Sequence, residues 1–269
     1  MMGRSHLAFG IMSGLLVAQG VQAPLPEGVG ITALAAASAL VPDLDVDGLL
    51  MRRLTERPLI WIRRLFGYVG VILILLSYFP STRNEQFGTA IVGLLCLGVG
   101  FVLKDQSARR WMLSLMGVLL AAGSLYWRLG EHVFTLPGLT QGIQGSERWL
   151  IWLGLFIAVI PHFPHRTYSH TLWALAVWGA IWYEAEASLR IGGLFMAGII
   201  GYASHLLADT LTVSGVRYLH PFPPTVRLPL IRTKKDRARE HLIVIVFGVA
   251  TVLLWFSGSH LPLEILTKS

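Results

Sequence analysis

Apolar residues along this chain gather into nine runs, at 7–23, 29–41, 65–79, 87–103, 111–127, 149–163, 171–187, 191–213 and 242–256. Short polar or charged stretches separate them. A helix that crosses a bilayer needs about 20 mostly apolar residues, and fewer when it is short or partly buried. The second and third runs are short. The second is rich in Ala and Gly, which fits a packed or re-entrant helix better than a lipid-facing one. The pattern predicts an all-α fold, a polytopic transmembrane bundle of about nine spans. Most of the nine Trp sit at the ends of the runs, where interface anchors belong.

The Lys and Arg positions orient this map. With the N-terminus cytoplasmic, the inner segments hold Arg4, the arginines from Arg52 to Arg64, Lys104 with Arg109 and Arg110, Arg166, and the basic stretch from Arg217 to Arg239. The outer segments hold only Arg83, Arg128, Arg148, Arg190 and Lys268. The bias keeps its sign at every loop, as the positive-inside rule requires, and it puts the C-terminus outside.

Composition agrees. Of 269 residues, 54% are hydrophobic and 14% are charged, and the mean hydropathy is +0.61. A soluble domain carries about 25% charged residues. The deficit marks an integral membrane protein, with membrane lipids around it. The net charge of +7 then belongs to cytoplasmic loops, and no nucleic-acid partner is expected. The single cysteine, Cys96, lies in an apolar run. It excludes an internal disulfide and a Cys-rich zinc module. The start of the chain could pass for a signal peptide, but its continuation through Ala39 reads as a helical hairpin. No Ser/His/Asp elbow, Walker loop or G-x-G-x-x-G element is present. The Gly-rich stretch 192–201 reads as close helix packing.

The unusual polar residues fall at one face of this map. His6 starts the first span. Asp43, Asp45 and Asp47 follow the second. His162, His165 and His170 fill the loop before the seventh, in Pro161-His162-Phe163-Pro164-His165-Arg166-Thr167-Tyr168-Ser169-His170. His205 and Asp209 stand in the last turns of the eighth, and His220 lies just beyond. His205 and Asp209 are four apart on a helix, so both side chains share one face. Such a pair can be an interhelical hydrogen bond; beside the other clusters it reads as a pair of metal ligands. His165 and His170 can reach one ion if their loop folds back, whereas His162, flanked by prolines, reads as a loop residue. Carboxylates at alternating positions suit mixed N/O metal sites, and one of Asp43 and Asp45 would bind directly. His6 joins on the strength of the convergence. Arg166 offers a planar fork for a phosphate or carboxylate.

These motifs together resemble a known family. Ser5-His6, Pro42-Asp43-Leu44-Asp45, His165-Arg166-x3-His170 and His205-x3-Asp209 resemble the metal-dependent hydrolases of the bacterial inner membrane described as LexA-binding or LexA-regulated. The resemblance covers residues 1–50 and roughly 150–257, and it sets the block 54–148 apart as inserted extra spans within one membrane-embedded domain, 1–269. It also implies an acid opening the last helix, here Glu240. The chain departs from the pattern at Thr167-Tyr168, where relatives often carry Gly after the Arg.

The expected function is therefore a membrane-bound, metal-dependent hydrolase. Its Zn²⁺ or Mn²⁺ is held by His6, Asp43, His165, His170, His205 and Asp209 at the cytoplasmic face. Arg166 binds the substrate anion, and Asp45 or Glu240 acts as base. The substrate is a phosphoester, lipid or lipid-linked anion. Two other classes remain: a transporter or metal-binding channel, whose sites usually lie at the bilayer midplane, and a non-catalytic scaffold recruiting a protein through its basic loops.

Overall fold

A computed structural model of the chain describes residues 3–46, 48–77, 83–102, 106–133, 148–232 and 236–257. Asp47, Lys104 and Lys268 lie outside the described residues. Among those residues there are nine α-helices: α1 Gly3–Gly20, α2 Leu25–Ser38, α3 Leu49–Leu76, α4 Arg83–Val102, α5 Gln106–Val133, α6 Arg148–Val159, α7 Leu172–Leu189, α8 Leu194–Thr210 and α9 Arg237–Phe256. Single 3-10 turns cover Val41–Asp45, Ile160–His162 and Tyr168–His170. No strand occurs among the described residues, which hold only two isolated bridges after α8. The all-α expectation holds, and every apolar run lands on a helix.

Two of the described helices, α3 and α9, are long and apolar enough to cross a membrane by length and composition. Their apolar windows are almost wholly exposed: Leu75, Leu76, Val249 and Leu253 point outward. In water such surface would be unfavourable; in hydrocarbon it is the matched face. α3 starts at Leu49, well before the predicted 65. Met51, Thr55 and Leu59 are buried four residues apart, while Arg52, Arg53 and Arg57 face out. That is the stripe of an amphipathic helix, so the basic segment read as a loop is helical. α5 likewise starts at Gln106 and carries Arg109 and Arg110 on its first turns.

The packing centres on α1, α2 and α8, each of which packs against the other two. A Cβ on Gly10 would come 2.8 Å from the Ala35 carbonyl oxygen, and one on Gly201 would come 2.3 Å from the same atom. Glycine at both positions lets two backbones approach α2 at once. The small-residue run expected at 29–41 is thus helical through Ser38 and closely packed at Ala35. Gly10 meets Ala39 and Gly14 meets Thr32, so α1 and α2 run antiparallel. Gly201 meets Ala35 and His205 meets Ala39, so α8 runs parallel to α2. α9 runs parallel to α1, through Ser5 with Glu240, Phe9 with Phe247 and Gln19 with Trp255. The start of α1, the ends of α2 and α8 and the starts of α7 and α9 thus meet at one end of the bundle. Trp178 anchors α7 there by donating to Ser38 Oγ at 3.0 Å. Thr171 caps α7 by accepting from the Ala174 N–H at 3.2 Å, which starts the helix directly after His170.

Candidate metal centre

Four side chains from three segments, the Val41–Asp45 turn, the Tyr168–His170 turn and α8, converge at that end. His170 Nε2 and His205 Nε2 stand 3.3 Å apart. Asp43 Oδ1 is 3.9 Å from the first and 3.7 Å from the second. Asp209 Oδ2 is 3.7 Å from the first and 3.9 Å from the second. Four donors bound tetrahedrally at about 2.0–2.1 Å would lie about 3.3–3.4 Å apart. The imidazole pair has that spacing already. The carboxylates need to close by a few tenths of an ångström, within reach of a side-chain rotation.

The hydrogen bonds behind the two rings fix their tautomers. His205 Nδ1 donates to the Ala39 carbonyl at 2.8 Å. Ser169 Oγ donates to Asp45 Oδ2 at 2.5 Å, so it accepts from His170 Nδ1 at 2.9 Å. With both Nδ1 protons placed, both Nε2 atoms present lone pairs to each other, beside two carboxylate oxygens. Four electron-rich atoms in one buried place repel unless a cation lies among them. A carbonyl, or a carboxylate acting through Ser169, behind each ring is also the usual arrangement behind a metal-bound imidazole. The donor set therefore fits a divalent ion.

His6 extends the cluster. Its ring stacks on His205 with centroids 3.8 Å apart, and its Nε2 lies 3.4 Å from Asp209 Oδ1. Its Nδ1 is buried and has no hydrogen-bond partner among the described residues, which suits an atom awaiting a ligand. His6 can form a donor triad with Asp43 and His205, and His165 can form one with Asp43 and His170. All six residues expected to ligate a metal are thus brought together.

The remaining expectations divide. Asp45 is fully buried and sits behind His170, with Oδ1 3.0 Å from His165 Nδ1 and Oδ2 held by Ser169. Arg110 of α5 donates to the Asp45 carbonyl at 3.0 Å, so α5 braces the aspartate turn. Arg166, at a left-handed φ of 61°, lies 3.2 Å from Asp209 Oδ2. Glu240 is buried in the first turn of α9, where it accepts from Ser5 Oγ at 2.6 Å, one residue from His6. His162 stays outside, bonded to Ser114 Oγ at 2.8 Å and packed against Trp111. His220 packs on Tyr168.

Charge follows position. The bond to Asp45 raises the His165 pKa above the ordinary imidazole value, against the opposing effect of burial. Burial, helped by the neighbouring His205, holds His170 well below it. His170 is therefore a neutral imidazole at pH 7, the form that ligates.

Sequence reasoning missed four supporting groups: Ser169, Arg110, the Ala39 carbonyl, and Tyr202, whose hydroxyl donates to the Ser169 carbonyl. Ser169 could have been found as the neighbour of His170. Arg110 reads as one more cytoplasmic charge, and a backbone carbonyl leaves no signal in a sequence. Their role is testable. Asp45→Asn keeps the shape of the turn but weakens the support behind His170. Metal affinity should fall about 10–100-fold, the usual effect of losing an outer partner, as read by competition with a chelator. An unchanged affinity would remove Asp45 from this role.

Fold and site together define an all-helical membrane protein with a buried His/Asp centre at one end of its bundle. The chain belongs to the YdjM inner membrane protein family, whose model matches residues 1–267. That membership places it in the bacterial inner membrane. It is similar to the inner membrane protein YdjM of Escherichia coli K12, with 33% identity over 137 residues, 49% of this chain and 69% of that protein. It is also similar to the uncharacterized protein YvsG of Bacillus subtilis 168, with 29% identity over 98 residues, 36% of this chain and 59% of that one. No solved structure matches.

Proposed function

We propose that this protein is a metal-dependent hydrolase of the inner membrane. It uses Zn²⁺ or Mn²⁺ at its cytoplasmic face and acts on a phosphoester of lipid type. The observation that carries the reading is the pair of buried imidazoles facing each other at 3.3 Å with their lone pairs inward. Asp43, His170, His205 and Asp209 hold the ion, with His6 and His165 at its flanks. Bound there, the ion supplies Lewis acidity and a water of lowered pKa.

The chain's own groups do the rest. Ala39, Ser169 and Asp45 orient the imidazoles. Arg166 pairs with Asp209 and offsets its charge, so the geometry favours a positioning role for it over that of a free anion clamp. Asp45 has both oxygens engaged, which favours orientation over proton abstraction. Glu240 sits behind His6 and holds the start of α1 to α9 through Ser5. Asp43 is the most open of the four inner donors, with 19% of its side chain exposed, so substrate approaches from its side. The cluster lies at helix ends, not at mid-helix, which favours a headgroup-level enzyme over a midplane transporter.

The nine helices form a nine-span bundle with the N-terminus inside, in which the site end faces the cytoplasm. Reporter fusions after Arg110 and Arg239 should read cytoplasmic, and fusions at Arg83 and Arg190 external. A shared side for Arg110 and Arg190 would break this map. The activity is tested with full-length protein in lipid nanodiscs, loaded with Zn²⁺ or Mn²⁺ and given phosphoester lipids. Hydrolysis that is abolished by Asp43→Asn supports the proposal. Metal-loaded protein that leaves every phosphoester class intact refutes it.

A further inference from the structure

The cleft above Asp43 belongs to none of the roles assigned so far. It has a volume of about 780 Å³ and opens between the first turns of α1, α3 and α9. Arg4, Arg52, Arg237 and His241 line it, and among the described residues Asp43 is the only acidic side chain in its wall. Arg166 is not among the lining residues. Arg4, Arg52, Arg237 and His241 are exposed. Ala8 and Val244 form an apolar wall within it.

We infer that this cleft is an anion cradle that takes the phosphate of the substrate, with Arg4, Arg52 and Arg237 as its forks and His241 beside them. The inference rests on the proposed metal centre, whose most open donor is in the cleft wall. Among the described lining residues, three guanidinium groups stand beside one carboxylate, which makes a positive recess. Once Asp43 is engaged by a divalent ion, its charge is offset and the recess becomes more cationic. Planar forks from three helices suit the tetrahedral oxygens of a phosphate better than a flat carboxylate, because each can take a different pair of oxygens. The apolar wall then receives the carbon side of a phosphomonoester, whether it is a lipid glycerol or a small soluble alcohol.

The test uses full-length, metal-loaded protein in neutral phosphatidylcholine nanodiscs. Binding of inorganic phosphate and of glycerol 3-phosphate is measured by calorimetry. A second set of nanodiscs contains a minority of phosphatidate, and there competition with glycerol 3-phosphate is read. Wild type should bind phosphate. Arg52→Gln and Arg237→Gln should each weaken it about tenfold, the loss expected for one charge-assisted contact. The double variant should lose about 100-fold, and metal content should stay at the wild-type level. Arg217→Gln, outside the cleft, should bind as wild type does. Arg52→Lys, which keeps charge but not the fork, should fall between wild type and Arg52→Gln, and it guards against a variant that fails to fold.

Equal phosphate binding by wild type and the double variant overturns the cradle. So does an equal loss in Arg217→Gln, which would mean diffuse charge. Either result with normal metal content leaves the metal centre standing, whereas wild type without bound metal removes the centre itself. Competition by phosphatidate identifies a lipid headgroup and its absence a soluble monoester; both support the cradle.

Discussion

His205→Asn is expected to lose bound metal while the fold survives. The Asn amide nitrogen takes the place of Nδ1 and still donates to the Ala39 carbonyl, where the native bond is 2.8 Å. Only the inward Nε2 is deleted. That atom faces His170 Nε2, Asp43 Oδ1 and Asp209 Oδ2 within 3.3–3.9 Å. Loss of an outer partner weakens metal sites about 10–100-fold, so deletion of a donor should weaken this one by at least the upper figure. The readout is thermal unfolding in detergent with and without Zn²⁺. Metal at a hundred times its dissociation constant stabilises the native state by about 2.7 kcal/mol. Wild type should show that upward shift in Tm and His205→Asn should not. Because the variant also removes one of two opposed lone pairs, its metal-free form should unfold no earlier than metal-free wild type. An intact Zn²⁺ shift in the variant would contradict the ligand set.

Gly201→Val should damage fold and site together. The first added carbon would lie 2.3 Å from the Ala35 carbonyl oxygen and 2.8 Å from the Ala35 Cα. Both are backbone atoms of a helix that α1 also approaches closely at the same residue, so neither can yield cheaply. Overpacking of this kind costs about 1–3 kcal/mol, and more where backbone must move. The damage also travels. His205 is one turn further along α8, and its bond to Ala39 depends on the same α2–α8 register. Reduced Tm and reduced metal content are both expected. Gly30→Ala is the control, since a Cβ there meets nothing within 4 Å. If Gly201→Val retains wild-type Tm, the close approach of α8 to α2 is not what holds the centre.

The nine helices and six converging donors were legible because hydrophobic runs and rare buried charges are strong signals in an apolar chain. His205 and Asp209 share a helix face by period alone. Convergence of His6 with Asp43 and His170 could be inferred from one membrane face without knowing any contact. The helix starts were less legible. The segment before 65 looked like a basic loop, since five arginines dominate it, yet Met51, Thr55 and Leu59 give it a buried stripe. The role of Arg166 depended on which way the fork turns. A left-handed φ at a non-glycine residue turns it back onto Asp209, and nothing local announces that conformation. The arginines of the cleft were hidden for a different reason. Arg4, Arg52 and Arg237 are far apart in the chain, and each alone is an ordinary cytoplasmic charge.

The most direct measurement is X-ray absorption at the metal edge, with elemental analysis, on full-length protein purified with Zn²⁺. The account predicts about one or more equivalents of metal. Its shell should hold only nitrogen and oxygen, with at least two imidazoles at about 2.0–2.1 Å and carboxylate oxygen beside them. The imidazole signal should fall by one ring in His205→Asn. Purified protein with no bound metal, or a shell with the same imidazole count in His205→Asn, would contradict it.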